Sequence, residues 1–181
     1  YTMELNQVIA ERRSIRAYEE GKAVSRETVE EILQAAAMAP SWKNSQTARS
    51  YVVMSQPLLD KVRETCLPEF NQKNSKNAPV LIVTAFVKGR SGFDNQGNAV
   101  NELGDEWGAY DLGLHNENLV LKARDMGLAT LIMGIRDEAK LRGLLPIPEE
   151  QQIAAVIALG YAAGEPQMPP RKDLSETAVF L

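Results

Sequence analysis

Apolar residues recur along this chain at two spacings, and the switches between them predict its elements. Near the start, Leu5, Val8 and Ile9 fall at i, i+3 and i+4, one stripe of a short helix over 4–12. Ser25 is a suitable N-cap and Glu27 follows in the first turn. Val29, Ile32, Leu33, Ala36 and Ala37 then hold helical spacing until Pro40 stops it. Residues 50–54 read as a short strand after a polar loop, and Pro57 opens a helix running to about Leu67. The β-branched run 78–87 has no 3.6 period, which predicts a central strand buried on both faces.

Between 88 and 104 the pattern dissolves into Gly, Asn, Ser and Asp, the composition of a mobile surface loop or lid. Asp105 is placed to cap the next element, a helix over 106–126. Its apolar residues, Trp107, Leu114 and Leu121 among them, cover more than one face and predict extensive burial. Gly127 closes that helix, 129–133 reads as a strand, and 134–136 turns into a short helix from about Asp137 that Pro146 and Pro148 end. Residues 152–161 form the last strong strand. Gly164, Pro166, Pro169 and Pro170 then impose an extended tail with an apolar tip over 178–181, which suits a second subunit as its seat. Helices and strands alternate without a repeat or linker, so 3–181 is expected to be one α/β or α+β domain with helices around a mixed sheet. Tyr1 and Thr2 precede Met3 and read as a remnant outside the natural start.

Composition narrows the function classes. With 181 residues and 44% hydrophobic content, the chain can bury a core without disulfides or structural metal. Cys66 stands alone, which predicts a reducing, cytoplasmic compartment. The apolar runs 78–87 and 153–159 fall short of the ~20 residues of a membrane span, so no membrane partner is expected. A net charge of −4 disfavours nucleic acid as well, while leaving room for a local cationic site that holds one anion.

Several familiar catalytic signatures are missing: there is no Gly-x-Gly-x-x-Gly, phosphate-binding P-loop, Gly-x-Ser-x-Gly elbow or histidine pair. The single histidine, His115, lies within the long helix and reads as a packed or solvated side chain; Cys66 reads as a small buried hydrophobe. Two segments carry more. Arg12, Arg13, Ser14 and Arg16 set three guanidinium groups and a hydroxyl within five residues at a helix end, where they either surround a phosphate or merely complement the helix dipole. Ala39, Pro40, Ser41, Trp42, Lys43, Asn44, Ser45 and Gln46 gather an indole, hydroxyls, an ammonium and amides in one loop. These groups match the rim of a planar heterocycle, or make an ordinary polar turn.

In order, Arg12-x-Ser14-x-Arg16, then Ala39-Pro40-Ser41-x-x-Asn44-Ser45-Gln46, Met133-Gly134, Gly160-Tyr161 and Arg171 resemble the FMN-dependent nitroreductase family, nearly end to end. The resemblance implies an α+β fold with a mixed, mainly antiparallel central sheet flanked by helices and an extended C-terminal arm. It also implies a homodimer with FMN at the subunit interface. By matching motif, Arg12, Ser14 and Arg171 would hold the FMN phosphate, with Arg13 contributing through backbone or side chain. Arg16 would place positive charge beside the flavin N1 and C2 carbonyl and tune the reduced state. Pro40, Ser41, Trp42 and Asn44 would approach from the partner subunit, Asn71 would bond the flavin ring, and Met133 and Gly134 would present a backbone N–H to N5.

The implied activity is hydride transfer from NADH or NADPH through flavin N5 to nitroaromatics, quinones or similar acceptors by a ping-pong route, with no obligatory acid–base side chain. A flavin-binding storage or regulatory protein without turnover, or a specialised flavoenzyme such as a reductive dehalogenase, are the alternatives. The chain departs from the family pattern in having Thr47-Ala48 where many relatives have Pro-Trp, and in the bulk of Trp42 and Lys43.

Overall fold

The computed structural model describes residues 3–181; Tyr1 and Thr2 lie outside the described residues. The elements in order are α1 (Leu5–Glu11), α2 (Arg26–Ala37), a 3-10 turn (Trp42–Asn44), β1 (Ala48–Val53), α3 (Gln56–Cys66), α4 (Glu69–Asn74), β2 (Val80–Val87), α5 (Glu106–Asp125), β3 (Ala129–Met133), α6 (Glu138–Leu144), β4 (Gln151–Gly160) and α7 (Leu174–Thr177). The four strands form one sheet in the order β1-β2-β4-β3, and every pairing between them is antiparallel. A lone parallel bridge joins Ser14 to Thr130 at the outer side of β3.

Period-2 alternation on the central strands builds two cores. Leu81 and Val83 face a cluster with Leu59, Val62, Leu131 and Leu141, the α3 and α6 side. Val80 and Ile82 face the other way, onto Ile32, Leu119 and Ala123 from α2 and α5. The 78–87 run is therefore buried on both faces as its composition predicts. Between Thr84 and Ala85 the β2–β4 register shifts, so Ala154 bulges out of the ladder. Arg136 answers the bulge: Nε donates to the Ala154 carbonyl at 2.8 Å and a terminal nitrogen to that of Ile153 at 2.7 Å. Gly108 lets α5 lie against β2, because a Cβ there would run into the Phe86 ring.

Helix ends follow local rules. Ser25 Oγ accepts from the Thr28 N–H, Asp137 caps α6 through the Lys140 N–H, and Gly127 leaves α5 at φ +78. Asp105 does not cap α5; its carboxylate accepts from the Gly89 N–H at 2.6 Å and so ties down the start of the 88–104 segment. That segment carries its own bridge, Phe93 to Ala99, and buries Ser91. Of the apolar stripe on α1 only Val8 is buried, while Leu5 and Ile9 remain exposed. The tail contains α7, opened by a reciprocal capping box between Asp173 and Glu176, and its tip stays free of the body, with Val179 82% and Phe180 85% exposed. Among the described residues no helix is long and apolar enough to cross a membrane.

Candidate functional site

The arginine segment leaves α1 in extended conformation and joins the edge of β3. Arg12 is the C-cap, its N–H bonded to the Val8 carbonyl, and the Ile15 N–H donates to Thr130 at 3.0 Å. Ile15 and Tyr18 are buried and anchor the segment, the Tyr18 hydroxyl donating to the Ile15 carbonyl; Ser14 and Arg16 face outward. The tail meets the segment here. Arg12, Arg13, Ser14, Arg16 and Arg171 surround one cleft of about 110 Å³, completed by Pro166, Gln167 and Pro169. No carboxylate lines it.

Its arginines are not spent elsewhere in equal measure. Arg13 donates to the Ala10 carbonyl at 2.6 Å and to that of Arg12 at 3.0 Å, so its side chain closes the end of α1. Arg16 and Arg171 reach only nearby carbonyls, Ser14 at 3.4 Å and Pro169 at 3.1 Å. The ion pairs among the described residues use Lys22, Arg26, Arg63, Lys122, Arg124, Lys140 and Arg142, and none involves Arg12, Arg16 or Arg171. Arg124, close by, is neutralised by Glu11 at 2.6 Å, and that hydrogen bond holds the Glu11 carboxyl below the usual range. Arg12, Arg171 and the Ser14 hydroxyl, without a counter-charge, suit a phosphate dianion, and Arg16 leaves a further positive charge beside it.

The second segment forms its own cleft, of about 250 Å³, lined by Pro40, Ser41, Gln46, Arg49, Asp111 and His115 with small residues from the end of α2. Its backbone is tightly wound: Lys43, Asn44 and Gln46 all have positive φ (45, 54 and 51). Such values in non-glycine residues persist only where surrounding bonds enforce them. Those bonds are present. The Gln46 N–H donates to Ser41 Oγ at 3.1 Å, and the Ser45 N–H to the Trp42 carbonyl at 2.8 Å. The Trp42 N–H donates to Asp111 Oδ2 at 2.9 Å. The Trp42 ring stacks obliquely on Trp107, centroids 5.0 Å apart, and Trp107 meets Tyr110 edge-on at 5.4 Å.

Met133 and Gly134 lie where β3 ends, Met133 buried and Gly134 exposed with open space where a Cβ would stand. Asn71 is buried and donates to the Ile135 carbonyl at 3.1 Å, so α4 fixes the turn after β3. The Asp137 N–H donates to the Cys66 carbonyl at 2.8 Å and fixes it from the other side.

Within one chain the predicted residues therefore fall into separate groups. Arg12, Arg13, Ser14, Arg16 and Arg171 come together; Pro40 and Ser41 line the other cleft, on the loop that also carries Trp42 and Asn44, and the two clefts share no residue. Asn71, Met133 and Gly134 belong to a third group, the turn after β3. Asp111 was missed by sequence reasoning, although its signal is legible: it shares a helical face with Gly108, Leu112 and Leu119, all buried. Ser91, whose hydroxyl donates to Asp111 Oδ2 at 2.6 Å, had no sequence signal. His115 is half-buried and burial lowers its pKa, with the Asn116 side chain opposing. Burial pushes the Cys66 thiol up, as an inert core cysteine requires. Among the described residues no group of His, Cys, Asp and Glu is arranged to hold a metal.

The sequence pattern that describes the nitroreductase family matches residues 9–161 of this chain. An Archaeoglobus fulgidus protein with the provisional name NADH dehydrogenase/NAD(P)H nitroreductase is 32% identical over 162 residues, covering 87% of this chain and 85% of its own. Among solved structures, a nitroreductase family protein from Clostridium novyi NT is 27% identical, with TM-score 0.75 and coverage of 88% of this chain and 87% of that one. Another, described as an oxidoreductase containing FMN, is 25% identical, with TM-score 0.80 and coverage of 99% and 91%.

Proposed function

The chain belongs to the nitroreductase family, and on that premise we propose that it is an FMN-dependent oxidoreductase. It passes hydride from NADH or NADPH to flat, electron-poor acceptors such as nitroaromatics and quinones. The observation that carries the reading is the cleft in which Arg12, Arg16 and Arg171 meet Ser14 without any carboxylate, in a chain of net charge −4. Cations left unpaired at such proximity repel one another, and a phosphomonoester relieves that repulsion while accepting their hydrogen bonds.

FMN, when bound, would supply the redox chemistry that relays hydride from a reduced nicotinamide to an acceptor. The residues of the chain bind and orient. Arg12, Ser14 and Arg171 grip the phosphate, and Arg16, exposed on the same extended segment, offers positive charge to the pyrimidine side of the ring. Ser14 pairs with Thr130 in parallel, so the segment and β3 run in the same direction, toward Gly134. Gly134, free of a side chain, gives the ring close approach to the backbone, and Asn71 acts on that approach through the Ile135 carbonyl. Pro40, Ser41, Trp42 and Asn44 complete the site from a second copy. Support comes from the separation of the two clefts within one chain and from the exposed tip of the tail, which has no seat on its own body.

Colour tests the reading. The purified protein should be yellow or take up added FMN, bleach with NADH or NADPH under nitrogen, and recover its colour with a quinone or nitroaromatic. A protein that neither carries nor binds FMN would sink the proposal, and bleaching without recovery would favour storage over turnover.

A further inference from the structure

One buried carboxylate oxygen ties the 39–46 loop to α5 by a hydrogen bond. Asp111 projects from α5 and is 6% exposed; its Oδ2 accepts from the Trp42 N–H at 2.9 Å and from the Ser91 hydroxyl at 2.6 Å. Ser91 in turn meets Ser45 Oγ at 2.8 Å and Thr47 Oγ1 at 3.3 Å. Directly at Trp42, and through Ser91 at Ser45 and Thr47, this carboxylate thus ties together α5, the loop and the 88–104 segment. Three non-glycine residues with positive φ lie between its attachment points at Trp42 and Thr47, so the loop's conformation is imposed from Asp111 and Ser91 as well as by its own turns. A buried carboxylate with so few partners is costly, and hydrophobic packing would serve stability better. We propose that Asp111 is a positioning residue for cofactor binding: it sets the loop that one copy offers to the flavin of the other, and with Ser91 couples that loop to the 88–104 segment. The inference rests on the proposed flavin site.

Both donors converge on Oδ2, and a single carbonyl oxygen can accept both. Asp111→Asn therefore keeps the geometry while removing the charge, and Asp111→Ala removes the geometry itself. Apoprotein of each form is titrated with FMN, following the quenching of flavin fluorescence, and the thermal midpoint of each apoprotein is recorded. Asp111→Ala should weaken FMN binding about tenfold, and Asp111→Asn should bind within about threefold of wild type. With FMN saturating, Asp111→Ala should raise the KM for a quinone more than it lowers kcat. If Asp111→Ala does not fold, Ser91→Ala takes its place, with FMN binding expected to weaken about threefold. A lowered thermal midpoint with unchanged FMN affinity would overturn the inference, leaving Asp111 a structural residue only. So would an Asn variant as weak as the Ala variant. Wild-type protein that fails to take up FMN overturns the flavin reading and this inference with it; wild-type uptake with an unaffected Ala variant overturns the inference alone.

Discussion

Arg16 and Arg171 reach no further than carbonyls two residues away, whereas Trp42 is tied through its N–H to a buried carboxylate 69 residues on and through its ring to Trp107. The two halves of the proposed site therefore obey different physics. The arginine cleft assembles like charges and leaves them without a counter-ion, so its order depends on what binds. The loop is fixed by its own turns and by Asp111 and arrives already shaped, at the expense of a buried carboxylate and strained φ values. A ligand that takes its affinity from the first and its orientation from the second gets both without paying to order either completely.

The largest effect is expected when the two halves are separated onto different chains. One copy carries Arg12→Ala and Arg171→Ala; the other carries Trp42→Gly, Lys43→Gly and Asn44→Gly. Neither homodimer should retain FMN. Mixed after unfolding and refolding together, they should recover binding, because one of the two sites in a heterodimer pairs an intact arginine cleft with an intact loop. No recovery on mixing would place both halves of the site in one chain and remove the dimer from the account.

A smaller effect distinguishes the two regions by pH. Arginines stay charged across the physiological range, but His115 lines the loop's cleft and burial lowers its pKa from the ordinary 6.5. The unfolded chain then takes up a proton that the native state resists. His115 therefore contributes stability that is present above about 6.5 and is lost as pH falls from there toward the lowered native value. His115→Gln should lose less of its urea midpoint than wild type between about pH 8 and about pH 5. An equal loss in both would mean that His115 titrates alike in the folded and unfolded chain.

Much of this was legible in the sequence, and the misses share a cause. Strand β3 occupies 129–133 as the pattern predicts, Ser25 is the cap expected, and α6 begins beside Asp137 where the sequence places it, because local chemistry decides those positions. Arg12, Ser14, Arg16 and Arg171 line one cleft although 155 residues separate Arg16 from Arg171, a meeting that periodicity cannot foretell. α4 and α7 went unseen, being short helices of six and four residues that carry little periodic signal. The 88–104 segment reads as a free lid by composition, yet Ser91 is buried against Asp111 and Asp105 binds the Gly89 N–H. A single tertiary hydrogen bond can pin a polar loop without leaving a mark on its composition. Leu5 and Ile9 have correct helical spacing and remain exposed on this chain; of the stripe only Val8 is buried.

The phosphate separates FMN from flavins that lack one. Wild-type apoprotein and Arg12→Ala are each titrated with FMN and with riboflavin, the same ring system without the phosphate. Two or more charge-assisted hydrogen bonds of about 1.5 to 3 kcal/mol each should make FMN bind wild type about a hundredfold or more tighter than riboflavin. Arg12→Ala should give up about 1.5 to 3 kcal/mol of the FMN affinity and none of the riboflavin affinity. Equal affinity for the two flavins in wild type would contradict the account, because the arginine cleft would then hold no phosphate.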